Sequence, residues 1–225
     1  MLVLLPVYRP GRELLPLLSD LRGEAATVVI VDDGSGPSAA PVLDAAGALG
    51  CTVLRCFTNR GKGEALKTGF RHCVRTFPGR DVVTADGDGQ HRTADVRAVA
   101  ARAGRDELVL GVRPLDRMPL RSRVGNVIIA RLFRAVTGQS VSDTQTGLRS
   151  YPHRLLKDLC DVPGERFEYE MNVLLAAAGA GCRITEVPIP ATYLDGNSAS
   201  NFGGVTDSVR VVGSLMRHAA GQFTT

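Results

Sequence analysis

No uninterrupted apolar stretch in this 225-residue chain approaches the roughly 20 residues of a membrane span, so any contact with a bilayer is expected to be peripheral. The opening MLVLLPVYRP lacks a basic n-region and a small-residue cleavage site, and reads as a first buried strand. Cys51, Cys56, Cys73, Cys160 and Cys182 form no Cys-x-x-Cys pair and no secretory pattern. Free thiols in a reducing compartment, the cytoplasm, are therefore expected. The arginines are scattered and not interleaved with aromatics, and the net charge of +4 is modest, so no nucleic-acid partner is expected. No Pro/Ser-rich linker or internal repeat divides the chain, which predicts one domain over residues 1–225.

What is present is an ordinary globular composition, 44% apolar and 22% charged, with length enough for one sizeable core. Short apolar runs (LVLLP, TVVIV, TVLRC, DVVTA, ELVLG) alternate with amphipathic stretches up to about Arg113. Continuous apolar strands separated by helices predict a doubly wound α/β sheet, mostly parallel, with helices on both faces. Ligands collect beyond the carboxyl ends of such strands. The positions to watch are thus Pro6 to Tyr8, Asp32 to Ser35, Asn59 to Lys62, Asp86 to Gln90, and Arg113. After Arg113 come the basic segment RPLDRMPLRSR, a long helical run to about Thr137, VSDTQTGLRSY, a helix, ERFEYEMNVLLAAAGAG, CRITEVPIP and YLDGNSASNF. An amphipathic stretch near Thr206 to Ala219 follows, whose apolar face can pack on a core or lie on lipid.

The run Asp86-Gly87-Asp88-Gly89-Gln90 admits three readings. As an EF-hand loop it has a glycine in place but Thr84 where the leading Asp belongs, after strand-like residues. As the Asp-x-Asp-Gly-Thr of a haloacid dehalogenase-type phosphatase it comes several β/α units late, with Gln90 where Thr belongs. As a nucleotide-sugar site, its carboxylates would hold a divalent ion bridging a diphosphate. That third reading also accounts for Asp32 and Asp33 at another strand end, suited to base or ribose, and for Lys62 and Gly63 at a helix start, suited to phosphate.

The series LLPVYRP, VIVDDGS, NRGKGEALKTGF, TADGDGQH, GVR, DTQTGLRSY, FEYEMNVLLAA and EVPI resembles the family 2 inverting glycosyltransferases, in particular the dolichol-phosphate mannosyltransferase-like branch that glycosylates polyprenyl phosphates. The likeness runs from about Val3 to Phe202. It implies a GT-A fold, a nucleotide-diphosphate sugar donor (UDP preferred to GDP), and Mg²⁺ or Mn²⁺. Residues 1–113 would be the donor half and 114–225 the acceptor half. By the same resemblance Asp86, Asp88 and Gln90 form the metal and diphosphate site, with Gly87 between them. Asp33 and Asp32 meet the nucleoside, Pro6, Val7 and Tyr8 line the base, and Lys62 and Gly63 lie beside ribose and metal. Arg113, Arg121 and Arg123 would gather on donor diphosphate and acceptor phosphate, a task suited to planar guanidinium groups.

Asp143, in DTQTGLR, falls at the sugar and acceptor pocket of that branch, where Leu148 replaces the usual aromatic. Glu168 and Glu170 stand two apart at a helix start and must point to different sides. One can reach the site and the other can complement the helix N-terminus. The loop YLDGNSASNF matches a late Gly-x-Ser-Lys segment but lacks its lysine. A lipid-phosphate acceptor is already anionic and needs no general base, whereas a hydroxyl acceptor would need one, with Asp143 and then Glu170 the groups to supply it. The absence of appended membrane helices leaves a soluble small-molecule acceptor as an alternative, and a binding subunit without turnover as a further one.

Overall fold

The computed structural model describes residues 1–89, 91–102, 106–190 and 205–221, apart from the side chains of Arg121 and of residues 205–209. The strands are β1 (Leu2–Val7), β2 (Thr27–Asp32), β3 (Thr52–Arg55), β4 (Val82–Thr84), β5 (Glu107–Val112), β6 (Arg149–Tyr151) and β7 (Arg183–Pro188). They form one sheet in the order β3-β2-β1-β4-β6-β5-β7. The helices are α1 (Leu14–Gly23), α2 (Ala40–Ala48), α3 (Lys62–Thr76), α4 (Thr93–Arg102), α5 (Leu120–Thr137), α6 (His153–Leu159), α7 (Glu168–Gly179) and α8 (Val205–Ala219).

Alternate residues of each buried strand serve opposite layers, as the period of two requires. In β1, Leu2 and Leu4 join a core with α3, α5, α6, α7 and α8, while Val3, Leu5 and Val7 join a second core with α1, α2 and α4. This is why the runs read as continuously apolar: both faces are covered. On α8, Val211 and Leu215 are buried against the first core, so the core-facing use of that amphipathic helix is the one seen for these residues.

The sheet is parallel except at β6, which runs antiparallel to both β4 and β5. Thr84 and Leu110 both pair with Arg149. Reversing one strand brings the segment before it, Asp143 to Leu148, to the carboxyl ends of its parallel neighbours. The expected locus of ligands lies where β1 turns outward to β2 on one side and β4 on the other. No helix among the described residues is long and apolar enough to cross a membrane.

Candidate functional site

A cleft of about 740 Å³ opens at these carboxyl ends. Pro6, Val7 and Tyr8 form its wall at the end of β1; Asp33, Asn59, Gly61 and Lys62 come from beyond the next two strand ends and the start of α3. Asp86, Gly87, Asp88 and Arg113 complete the rim of the sheet, and Arg166, Phe167 and Glu170 close it from the α7 side.

Its centre is a charge cluster. The Lys62 ammonium lies 2.7 Å from Asp86 and 2.8 Å from Glu170. Burial alone would lower the lysine's pKa, but the two carboxylates override it and hold the ammonium above its ordinary range. Burial would likewise raise the Asp86 carboxyl; Lys62 and His91, whose Nε2 is 3.6 Å away, hold it well below the usual carboxylate range. Asp86 also lies against Gly147, where an added Cβ would overlap its carboxylate, so glycine there lets the β6 loop approach without displacing that side chain. One oxygen of Glu170, Oε1, is buried without a hydrogen-bond partner. Its nearest cation is the buried Arg149 guanidinium, whose Nε lies 4.0 Å away, an ion-pair distance without a hydrogen bond.

The arginine-carboxylate pair at the other side is equally built. Arg113 donates from Nε to Asp143 at 2.8 Å and from Nη2 at 3.2 Å, a fork on a carboxylate that is itself fully buried. Asp143 also accepts from the Gln145 N–H. Its carboxylate thus orients Arg113, while its neighbours Thr144 and Gln145 are the ones lining the cleft. The loop is secured by Arg149, fully buried, which donates to the carbonyls of Thr146 (2.8 Å), Glu170 (2.7 Å) and Thr144 (3.1 Å). One guanidinium therefore ties the β6 loop to the first turn of α7.

The remaining expected residues divide. Asp33 accepts from the N–H groups of Arg60 (2.9 Å) and Gly61 (2.7 Å), shaping the phosphate-side loop from the cleft floor. Burial pushes its carboxyl above the ordinary value against the pull of those donors. Asp32 is turned away from the cleft lining and accepts from the Ser35 N–H, a turn role. Gly63 faces protein: a Cβ there would meet Tyr169 Cβ at 2.6 Å, so its bareness lets α3 pack on α7. Ser122 lines the cleft, whereas Arg123 does not. Glu168 and Glu170 do face different ways, Glu168 accepting from the N–H groups of Glu165 and Arg166. Leu148 is buried in the core and offers no ring to a sugar. Gln90, the side chain of Arg121 and the YLDGNSASNF loop lie outside the described residues.

Sequence reading missed Arg9, Glu13, His91, Arg149, Arg166 and Phe167. Arg9 carries a signal in retrospect, since it follows a strand end: its φ of 51° is left-handed and its N–H reaches Ser35 Oγ at 2.7 Å. His91, Arg149 and Phe167 stand inside or at the edge of the motifs already singled out, but nothing in their spacing says which way their side chains turn. As a donor set, Asp86 and Asp88 supply hard carboxylate oxygens suited to Mg²⁺ or Mn²⁺, and no preassembled group of three His, Cys, Asp or Glu surrounds them among the described residues. The set fits an ion whose other ligands arrive with an anionic substrate.

The sequence model described as glycosyl transferase family 2 matches residues 2–159. An uncharacterized protein of Methanocaldococcus jannaschii is 30% identical over 203 residues, covering 86% of this chain and 82% of that one. The UDP-N-acetylglucosamine–dolichyl-phosphate N-acetylglucosaminyltransferase of Methanococcus voltae is 33% identical over 146 residues, 61% of this chain and 57% of its own. Among solved structures, a mannosyltransferase from Pyrobaculum calidifontis in complex with GDP-Man and Mn²⁺ superposes with a TM-score of 0.62 at 19% identity. That match covers 98% of this chain but 63% of the mannosyltransferase, so the chain spans less than two thirds of that protein's length.

Proposed function

Starting from the chain's membership of glycosyl transferase family 2, a glycosyltransferase on the GT-A fold, we propose that it transfers a sugar, with inversion, from a nucleotide-diphosphate donor to a polyprenyl phosphate. The preferred donor nucleotide is UDP, and the cofactor is Mg²⁺ or Mn²⁺ held by Asp86 and Asp88, with Gln90 as third protein ligand. The observation that carries the reading is the Asp86–Lys62–Glu170 cluster, opening on the same cleft as Arg113 and Arg166. The Methanococcus enzyme's dolichyl-phosphate acceptor and UDP-sugar donor, and the GDP-Man and Mn²⁺ bound by the Pyrobaculum protein, support the lipid-phosphate acceptor, the nucleotide-sugar donor and the metal. Residues 1–113 serve the donor and residues 114–225 the acceptor.

When bound, the ion neutralises charge growing on the departing diphosphate. The chain's own residues do the positioning. Pro6, Val7 and Tyr8 wall the base, and Asp33 holds the Arg60–Gly61 backbone beside the nucleoside and phosphate region. Lys62, paired with Asp86 and Glu170 at the cleft centre, would place its ammonium beside the donor diphosphate. Arg113, aimed by Asp143, attracts the acceptor phosphate, whose oxygen attacks in line with the leaving group. The acceptor is an anion at neutral pH, so Asp143 has no proton to remove and can remain a buried orienting group.

Calorimetric titration of UDP and of GDP, each with and without Mn²⁺, into the wild type and Asp88→Ala tests the donor half of this reading. Metal-dependent binding of UDP that disappears in the variant is the expected result. Equal binding by the variant, or no binding of either nucleotide, overturns it. Transfer from the bound donor to a short-chain polyprenyl phosphate, and none to soluble hydroxyl acceptors, is expected for the acceptor half.

A further inference from the structure

Among the described residues, helix α5 buries one face and leaves side chains of the opposite face exposed. Asn126, Ile129 and Phe133 are buried toward the core. On the opposite side Leu120, Val124 and Ile128 are 68%, 52% and 52% exposed. At 3.6 residues per turn their four-residue spacing places them within an arc of roughly 80°, a continuous apolar stripe along two turns. Helix α8 packs against α5 and adds another exposed apolar side chain, Met216. Scattered exposed leucines need no explanation, but an aligned stripe does.

Charge identifies what covers it. The α5 sequence LRSRVGNVIIARLFRAVT contains four arginines and no acidic residue. Arg131 continues the stripe one turn beyond Ile128, and Arg123 and Arg134 fall along its edge by the same helical geometry. No carboxylate among the described residues pairs with any of these three. An apolar stripe whose charged neighbours on its own helix are all arginines matches the interfacial zone of an anionic bilayer: aliphatic side chains enter the acyl boundary while guanidinium groups meet lipid phosphates. A second copy of the same face would instead set these arginines against each other. Ser122, on the first turn of α5 but on the side of the helix opposite the stripe, lines the cleft, so the same helix borders both.

We propose that the α5 face formed by Leu120, Val124 and Ile128 with Arg123, Arg131 and Arg134 docks the protein on anionic lipid bilayers. The docking surface is separate from the donor site and stands or falls independently of which nucleotide the cleft accepts.

Flotation with phosphatidylcholine vesicles, with and without phosphatidylglycerol, tests it on the full chain. Wild type is expected to float with anionic vesicles and little with neutral ones, and added salt should weaken the binding. Val124→Asp/Ile128→Asp should lose vesicle binding at least tenfold while keeping nucleotide binding, which also reports that it is folded. Arg131→Gln/Arg134→Gln should lose roughly fivefold per arginine on anionic vesicles. Absence of flotation by the wild type, or unchanged flotation by Val124→Asp/Ile128→Asp, overturns the proposal. Sedimentation showing a wild-type dimer that the aspartate variant turns into monomer, with no vesicle binding, assigns the face to a second copy and also overturns it.

Discussion

The two sides of the cleft are built differently. On the β1–β4 side, parallel strands end and the next few residues face the ligand space, so backbone N–H groups and short side chains such as Asp33 and Asp86 do the shaping. On the β6–α7 side, an antiparallel strand feeds a loop back among buried charged side chains, and the shaping is done by Arg113–Asp143 and by Arg149 on three carbonyls. The first construction tolerates change as long as strand ends stay in place. The second is a linked polar network, in which removal of one member strands the others.

That contrast is most exposed at Arg149. Arg149→Met preserves much of the side-chain volume but leaves the carbonyls of Thr144, Thr146 and Glu170 without that donor, and should cost about 3 kcal/mol or more of unfolding free energy in urea titration. A loss below 1 kcal/mol would mean the network is not what secures this side. Lys62→Met comes next. It leaves Asp86 and Glu170 facing each other across the cleft, and should lower turnover on the order of 100-fold with a smaller effect on stability. Steady-state rates alongside urea midpoints separate the two effects.

The same lysine gives the pH test. Asp86 is held below its ordinary range, so its pairing stabilises the fold above the unfolded carboxylate value of about 4 and is lost as pH falls below that. Lys62 is held above its range, so its contribution is present below about 10.4 and lost as pH rises through the folded value. Asp33, raised by burial, works the other way from Asp86: its contribution is largest below about pH 4 and is lost as pH rises. Wild type should therefore lose more stability than Lys62→Met between about pH 4 and pH 2, measured by urea midpoints without metal. The smallest effect belongs to Glu168→Ala, which removes only the acceptor for two N–H groups at the start of α7 and should cost about 0.5–1 kcal/mol with transfer unchanged. A turnover defect there as large as that of Glu170→Gln would erase the distinction between the two glutamates.

Much of the parallel side was legible in the sequence because local rules govern it. Apolar runs buried on both faces announce strands, and the next residues necessarily sit at their carboxyl ends, which is how Pro6 to Tyr8, Asp33, Lys62, Asp86 and Asp88 were located together. The pattern could not separate Asp33 from Asp32. They are adjacent at a strand end, and the difference lies in which backbone N–H groups meet each carboxylate. Gly63 was legible as a helix-start glycine, but its reason, contact with Tyr169, comes from a residue 106 positions away in the chain.

By itself, then, the sequence determined the layered α/β architecture, the family and the strand ends on which the acidic residues stand, because periodicity and short-range order are properties of the chain. Tertiary structure alone decided that β6 runs backward, that Asp143 serves Arg113 inside the protein, that Lys62 spans Asp86 and Glu170, and that α5 keeps an apolar stripe in solvent. Each depends on which distant segments meet. An arginine reads alike in sequence whether its guanidinium ends in solvent, like Arg131, or on buried carbonyls, like Arg149. Packing makes that choice, by supplying or withholding the partners that offset the cost of burying a charge.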